Sequence, residues 1–270
     1  MPAVISFEFD PLVYVGDVSI RMQTVAIALI VFGALLLVAR IGQVTPTASP
    51  YVPPPTLRPA ELMFLILGII PGAVIGGRLD YVLVHLDYYL AHPSSIVDPT
   101  QGALGLGLAV PGAILGGAFI AELMDAQFDR WMHAATLPTL FLLGAGKLTS
   151  VLAGEGQGQP ADVWWATAYL GDGPWSSLAA YVPSHPAQVY EAALTVVVLV
   201  LMGIALRVGG FARRNGSALL VAIALWGTGR AIAATTWRDA AVVGPFGAEQ
   251  LILGVLVLIC VILVLRRWRR

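Results

Sequence analysis

Three cations stand inside apolar stretches of this sequence, where a charge is costly. Arg78, Lys147 and Arg230 each come late in such a stretch. Ionisable residues within apolar membrane segments mark functional sites by default. A guanidinium group binds phosphate through parallel hydrogen bonds and keeps its charge when it is partly buried. These cations therefore indicate a site for an anionic phosphate, such as that of a lipid headgroup.

The segment HPAQVYE, residues 185–191, is the second group of polar residues with an informative spacing. His185, Gln188 and Glu191 follow one another at intervals of three, which places them on one broad face of a helix. Pro186 suits the first helical turn. Glu191, together with Asp80 and Glu155, could face the three cations. Either these charges pair only to hold helices together, or they surround a bound anion; both interpretations stay open.

The composition shows which elements must carry these residues. Of the 270 residues, 58% are hydrophobic and 11% are charged, whereas an ordinary globular domain has about 25% charged residues. A helix needs roughly 20 mostly apolar residues to cross a bilayer. The sequence predicts an all-α integral membrane protein, a single membrane domain over residues 1–270, with seven transmembrane helices. The predicted spans are 19–39, 61–84, 104–123, 133–152, 186–207, 217–236 and 247–265.

The connections between these spans predict the orientation. Arginines occur in the first, third and fifth connections and in the C-terminal RRWRR, whereas 85–103 and 153–184 contain no Lys or Arg. Positive-inside bias then places the N-terminus outside and the C-terminus in the cytoplasm. With a rise of about 1.5 Å per residue, Arg78, Asp80, Lys147, Glu191 and Arg230 fall in the outer halves of their spans. This predicts one polar cavity that opens toward the outer leaflet.

Several other classes of site are not expected. Cys260 is the single cysteine and lies in an apolar run, so the sequence predicts neither a disulfide nor a thiolate site. No cluster of His, Cys and carboxylates has metal-ligand spacing, and no cofactor motif or nucleic-acid-binding tract occurs. The acidic N-terminus and its first apolar run lack a cleavage site, so we expect the first span to be retained. The 153–184 segment is rich in Gly, Trp and Tyr, which favours an extracytoplasmic structure at headgroup level.

Several motifs occur in an order that resembles one family. They are FEFDP near the N-terminus, GGRLDYVL at 76–83, GKLTSVLAGEGQG at 146–158, HPAQVYEA at 185–192 and WGTGRAIAATTWR at 226–238. In this combination the chain resembles the prolipoprotein diacylglyceryl transferases, bacterial enzymes that move a diacylglyceryl group from phosphatidylglycerol onto a lipoprotein cysteine. The resemblance implies a multi-pass protein of the bacterial cytoplasmic (inner) membrane. Its implied partners are an anionic phospholipid and a lipoprotein precursor peptide.

The resemblance also implies roles for individual residues. Cations should stabilise the departing glycerol phosphate, and the attacking thiol must lose a proton. The implied catalytic residues are Lys147, Glu155 and His185. The implied phospholipid-binding residues are Arg78, Lys147, Gln188, Glu191 and Arg230.

This sequence also departs from the family pattern at several positions. Lys147 replaces a central arginine and so keeps the charge without the bidentate fork. The other substituted positions are Met22, Gln23, Pro111, Ser150, Ala153 and Ala234. The phosphate-binding side is thus partly intact, while the proton-transfer side has lost groups. Two hypotheses follow: a divergent, active transferase, or a non-catalytic relative that binds lipid as a subunit or scaffold of a larger membrane complex.

Overall fold

Helices dominate the fold. The computed structural model describes residues 4–47, 56–98, 101–177 and 179–269. Within these ranges seven helices are long and apolar enough to cross a membrane, which confirms the predicted fold class; the orientation of the termini stays a prediction. The long helices are α1 (Met22–Val44), α2 (Pro59–Val84), α4 (Leu106–Leu123), α5 (Phe128–Thr149), α6 (Ala187–Arg207), α7 (Ser217–Ala233) and α8 (Ala248–Arg269), and a short α3 (Leu86–Ala91) follows α2.

In the described ranges, six short strands form three two-stranded sheets that the sequence does not indicate. They are β1 (Ile5–Phe7), β2 (Leu12–Val15), β3 (Val18–Arg21), β4 (Thr167–Tyr169), β5 (Ala241–Val243) and β6 (Phe246–Gly247). β1 pairs with β4 in parallel, and β2–β3 and β5–β6 are antiparallel hairpins. The first predicted span began at residue 19, but the helix begins at Met22 because residues 18–21 pair with β2.

The chain forms two compact units. The first unit comprises Met1–Leu37, Leu137–Val208 and Gly229–Ala240, and the second comprises Val38–Thr136, Gly209–Thr228 and Ala241–Arg270. In the second unit a hydrophobic core gathers Leu57, Leu62, Leu65, Ala121 and Trp131.

Backbone pairing joins distant segments of the first unit. β4 lies between β1 and Ser184, since Thr167 and Ser184 exchange backbone hydrogen bonds of 2.9 and 3.1 Å. The next segment is joined in turn, because the Gly158 N–H donates to the carbonyl of His185 at 2.8 Å. The Gln159 N–H donates to the carbonyl of Thr236, also at 2.8 Å. These hydrogen bonds hold the segment before α6 and the segment after α7 against residues 158–159.

Glycines set the contact between α2 and α4 in the second unit. A Cβ added at Gly72 would lie 2.3 Å from the carbonyl oxygen of Gly112, and one at Gly68 would lie 2.1 Å from that of Gly116. Such distances leave no room for a side chain, so the two backbones approach directly, as small residues allow in membrane helices.

The close α2–α4 contact predicts that Gly72→Leu is destabilising. The added side chain must push the two helices apart, and overpacking of this kind costs about 1–3 kcal/mol. Thermal unfolding in detergent should show a lower midpoint for this variant. Gly254→Leu in α8 is the matched control, because nothing lies within 4 Å of a Cβ added there. Equal midpoints for the two variants would contradict the proposed packing constraint.

Candidate functional site

A single carboxylate in the first unit binds two cations. Lys147 Nζ lies 3.4 Å from Glu191 Oε2, and Arg230 Nη1 donates to Glu191 Oε1. Glu191 is 1% exposed, Arg230 is also buried, and Lys147 is nearly so. Buried charges require partners of opposite sign. These three residues, which we call the cation–carboxylate cluster, therefore form an electrostatic unit of net charge +1.

The helix ends and the small residues near them explain why these side chains meet. Lys147 and Arg230 lie in the last turns of α5 and α7, where the helix dipole favours a cation. Glu191 lies near the beginning of α6. Glycines let these helices approach, since a Cβ at Gly144 would contact Thr195 at 3.2 Å and one at Gly229 would contact Leu194 at 3.3 Å.

Trp237 lies against both cations of the cluster. Its ring centroid is 4.7 Å from Arg230 Cζ and 5.7 Å from Lys147 Nζ. The negative face of an indole attracts cations, so it offsets the repulsion between the two positive groups. Arg238 holds this segment in place, because its guanidinium donates to the Gly158 carbonyl at 2.6 Å and to Ser184 Oγ at 3.0 Å.

Gln188 joins the cluster's helix to an aromatic group. Its Nε2 donates to the hydroxyl of Tyr169 at 3.0 Å, and both side chains are buried. Its Oε1 has no hydrogen-bond partner among the described residues. Phe7 stacks on Tyr169 with ring centroids 5.0 Å apart. Burial raises the pKa of Tyr169 to about 12, although the hydrogen bond from Gln188 acts in the opposite direction. Tyr169 is therefore neutral at physiological pH.

Glu155 is exposed and contacts the beginning of α1. Gln23 Nε2 donates to Glu155 Oε2 at 2.5 Å. The next residue, Gly156, adjoins the cluster, since a Cβ there would lie 3.3 Å from Lys147 Nζ. Glu155 therefore directly precedes a glycine that lies against Lys147, and its own side chain is open to solvent.

His185 is held by a chain of hydrogen bonds. Trp165 Nε1 donates to Tyr190 Oη at 2.5 Å, and that oxygen lies 3.2 Å from His185 Nδ1. The Tyr190 hydroxyl therefore links Trp165 to His185, and this contact engages Nδ1 of His185.

Arg78 belongs to the second unit and binds backbone carbonyls. Its guanidinium lies 5.3 Å from the ring centroid of Tyr89. Four of the five N–H groups of a guanidinium are accounted for by the carbonyls of Ser95, Ile96, Asp98 and Gln101. These bonds hold the segment after α3. The nearby carboxylate of Asp80 is buried and accepts from the Gly107 N–H at 3.1 Å.

Several known proteins resemble the chain in sequence. The family described as prolipoprotein diacylglyceryl transferase matches residues 11–266. The chain belongs to this family. The phosphatidylglycerol–prolipoprotein diacylglyceryl transferase of Geobacter sulfurreducens is 31% identical over 193 residues, 70% of this chain and 71% of that protein. Proteins of the same name are 32% identical in Pseudomonas putida and 30% in Pseudomonas aeruginosa, each over 146 residues.

Family membership gives the seven apolar helices a location. The chain is a multi-pass protein of the bacterial inner membrane. The Pseudomonas matches cover 54% of the chain and 53% or 52% of the relatives, so the chain spans about half the length of those two proteins. The relatives' names support a function like that of a prolipoprotein diacylglyceryl transferase.

The structure thus joins some of the expected site residues of this transferase family member and not others. Lys147, Glu191 and Arg230 are in contact, whereas Glu155 and His185 have other partners. Sequence reasoning missed Trp237 and Tyr169. Trp237 stands in the WGTGRAIAATTWR motif, so an aromatic residue seven positions after an intramembrane arginine was the available signal. No sequence signal marked Tyr169, because its partners Gln188 and Phe7 come from distant parts of the chain.

The cluster predicts a large cost for Glu191→Gln. The substitution leaves two cations without their shared carboxylate, and breaking a buried pair costs about 3–5 kcal/mol. The free energy of unfolding in mixed detergent measures this loss. Glu155→Gln is the control and should cost less than about 1 kcal/mol, because that carboxylate is exposed. Adding Lys147→Gln to Glu191→Gln should cost less than the sum of the single changes; additive costs would contradict the cluster.

The buried Tyr169 predicts a loss of stability at alkaline pH. Its pKa is raised from 10.0 to about 12 in the folded protein, so below pH 10 the hydroxyl is neutral in both states. Between pH 10 and 12 the unfolded chain loses this proton first, and folding weakens by up to about 3 kcal/mol. Tyr169→Phe should lose less stability over this interval than the unmodified protein. Parallel pH profiles of unfolding would exclude the effect.

Proposed function

We propose that the cation–carboxylate cluster binds the phosphate of an anionic phospholipid of the phosphatidylglycerol type. The observation that supports this proposal is the convergence of the buried Arg230 and the partly buried Lys147 on one carboxylate. The phosphodiester of phosphatidylglycerol carries one negative charge and would be attracted by these two cations. Cations fixed in a low-dielectric site interact with such a charge more strongly than cations in water.

The proposed reaction transfers the diacylglyceryl group of the lipid to a cysteine of a lipoprotein precursor. The sulfur forms a thioether bond to the glycerol carbon, and the bond from that carbon to the phosphate oxygen breaks. Glycerol phosphate leaves with the electron pair. Lys147 and Arg230 stabilise the charge that develops on it, since preorganised cations contribute most where charge appears in the transition state.

The thiol proton needs an acceptor, and Glu155 is our candidate. Its carboxylate is exposed, its Oε2 is held by Gln23, and its neighbour Gly156 adjoins Lys147. His185 is a weaker candidate for this step, because its Nδ1 is engaged with Tyr190. Gln188, with an unpartnered buried oxygen beside Tyr169, is our candidate for a contact with a donor group of the ligand, such as a glycerol hydroxyl.

A second candidate function is a lipid-binding subunit or scaffold without catalysis. The substitutions within the motif favour it, because Ala153 and Ala234 carry no polar side chain and Pro111 replaces a family histidine. Binding of the phosphate requires only the cluster. Transfer additionally requires removal of the thiol proton, so an experiment that measures lipid binding and transfer apart can distinguish the two functions.

Lipid binding is tested first. We expect Arg230→Gln and Lys147→Gln to weaken the binding of labelled phosphatidylglycerol at least tenfold, because a hydrogen bond to a charged group is worth about 1.5–3 kcal/mol. Arg207→Gln is the matched control, since Arg207 is exposed at the end of α6. Native mass spectrometry of the purified protein measures the retained lipid. Equal retention in all variants would overturn the proposed binding site.

Transfer is then assayed in nanodiscs with labelled phosphatidylglycerol and a precursor peptide that carries one cysteine. Glu155→Gln should lower transfer at least tenfold and leave lipid retention unchanged. Tyr190→Phe should have a smaller effect, since His185 would keep its position at the start of α6. Retention of lipid without any transfer by the unmodified protein would decide for the non-catalytic function.

A further inference from the structure

We propose that the β2–β3 hairpin inserts into the leaflet in which α1 begins, with the lipid surface as its partner. In the predicted orientation this is the outer leaflet. The hairpin consists of Leu12–Val15 and Val18–Arg21, joined by Gly16 and Asp17. Its apolar residues Val13, Val15 and Val18 are 40%, 65% and 59% exposed.

The register of the hairpin gives it one apolar face. Val13 pairs with Ile20, and Val15 pairs with Val18. Cross-strand partners share a face, and residues two apart on a strand return to that face, so these four aliphatic side chains lie together. The opposite face carries the pairs Tyr14–Ser19 and Leu12–Arg21, and the Tyr14 hydroxyl donates to Asp10 at 3.2 Å. The hairpin is therefore amphipathic.

A two-stranded hairpin is marginally stable alone in water and needs a partner for its apolar face. The exposure of the valines shows that the described residues do not cover that face. The face is therefore available to a partner.

Continuity with α1 identifies the partner as lipid. Helix α1 begins at Met22, directly after β3, and the Met22 N–H donates to the Pro11 carbonyl at 2.8 Å. The base of the hairpin thus lies where the chain enters the membrane. An exposed apolar stripe runs from this point along α1 at helical spacing through Val25, Leu29, Phe32 and Leu36. The apolar hairpin thus directly precedes this exposed stripe in the chain, at the end where α1 begins.

The hairpin is also attached to the candidate site. Arg21 Nη1 donates to Ser176 Oγ at 2.6 Å, and Gln23 Nε2 donates to Glu155 Oε2 at 2.5 Å. These bonds connect the end of β3 and the start of α1 to the segment that carries Glu155. Insertion of the hairpin would then fix the depth of Glu155 at the headgroup level. This functional consequence rests on the proposed function, whereas the insertion itself does not.

Spin labelling in nanodiscs tests the insertion. Cys260 is the single cysteine and is buried, so Cys260→Ala provides a background in which only introduced cysteines react. Val15→Cys and Ser19→Cys place a nitroxide on opposite faces of the hairpin, and Leu29→Cys provides a lipid-exposed reference. We expect the label at position 15 to be more accessible to oxygen than to a water-soluble nickel complex, as at position 29. The label at position 19 should favour nickel.

Two results would overturn the proposal. One is a label at position 15 that is as accessible to nickel as the label at position 19. The other is a label at position 15 that becomes protected only when the precursor peptide is added, which would identify the peptide as the partner instead of lipid.

A second measurement tests the consequence for the site. Val15→Asp with Val18→Asp prevents insertion at exposed positions, and Ser19→Asp is the control on the polar face. We expect the double variant to retain at least tenfold less long-chain phosphatidylglycerol while binding a short-chain, water-soluble analogue as before. Unchanged retention would overturn the depth-fixing role. If the unmodified protein retains no phosphatidylglycerol, the proposed function fails, and the spin-label accessibilities still decide on insertion.

Discussion

The carboxylate of Glu191 is the interaction on which the first unit depends. Two buried cations from the ends of α5 and α7 meet it through separate oxygens. Without it, Lys147 and Arg230 would repel one another in a medium where charges interact strongly. With it, three helices share one electrostatic centre. Gly144 and Gly229 belong to the same constraint, because larger residues would keep α5 and α7 from approaching α6 closely enough for these contacts.

The lysine at position 147 is compatible with this centre for a geometric reason. An ammonium group is a compact point charge and needs only one carboxylate oxygen, whereas Arg230 supplies the planar group with directional donors. Trp237 offers its ring to both. The loss of a bidentate fork at position 147 is therefore partly offset by an aromatic face that contacts both cations. Any anion bound by this pair would be held more by charge than by a fixed pattern of donors.

The sequence predicted the parts of the fold that depend on the average polarity of long segments. Seven apolar runs became seven helices, but residues 19–21 were assigned to the first span although they belong to β3, because they lead directly into its apolar run. For the site, Lys147, Glu191 and Arg230 were predictable because charged residues inside apolar membrane segments lack water around them and therefore need polar partners. The partners of Arg78 were not predictable, because they are backbone carbonyls, which every residue has. The same applies to Tyr190, whose role depends on the distant Trp165.

The cluster separates what binding requires from what catalysis requires. Glu191 holds Lys147 and Arg230 together in a low-dielectric place, where an anion interacts with them more strongly than in water. In the proposed function a phosphodiester anion uses this attraction without any proton transfer. Transfer additionally depends on a carboxylate that can receive the thiol proton, for which Glu155 is the candidate.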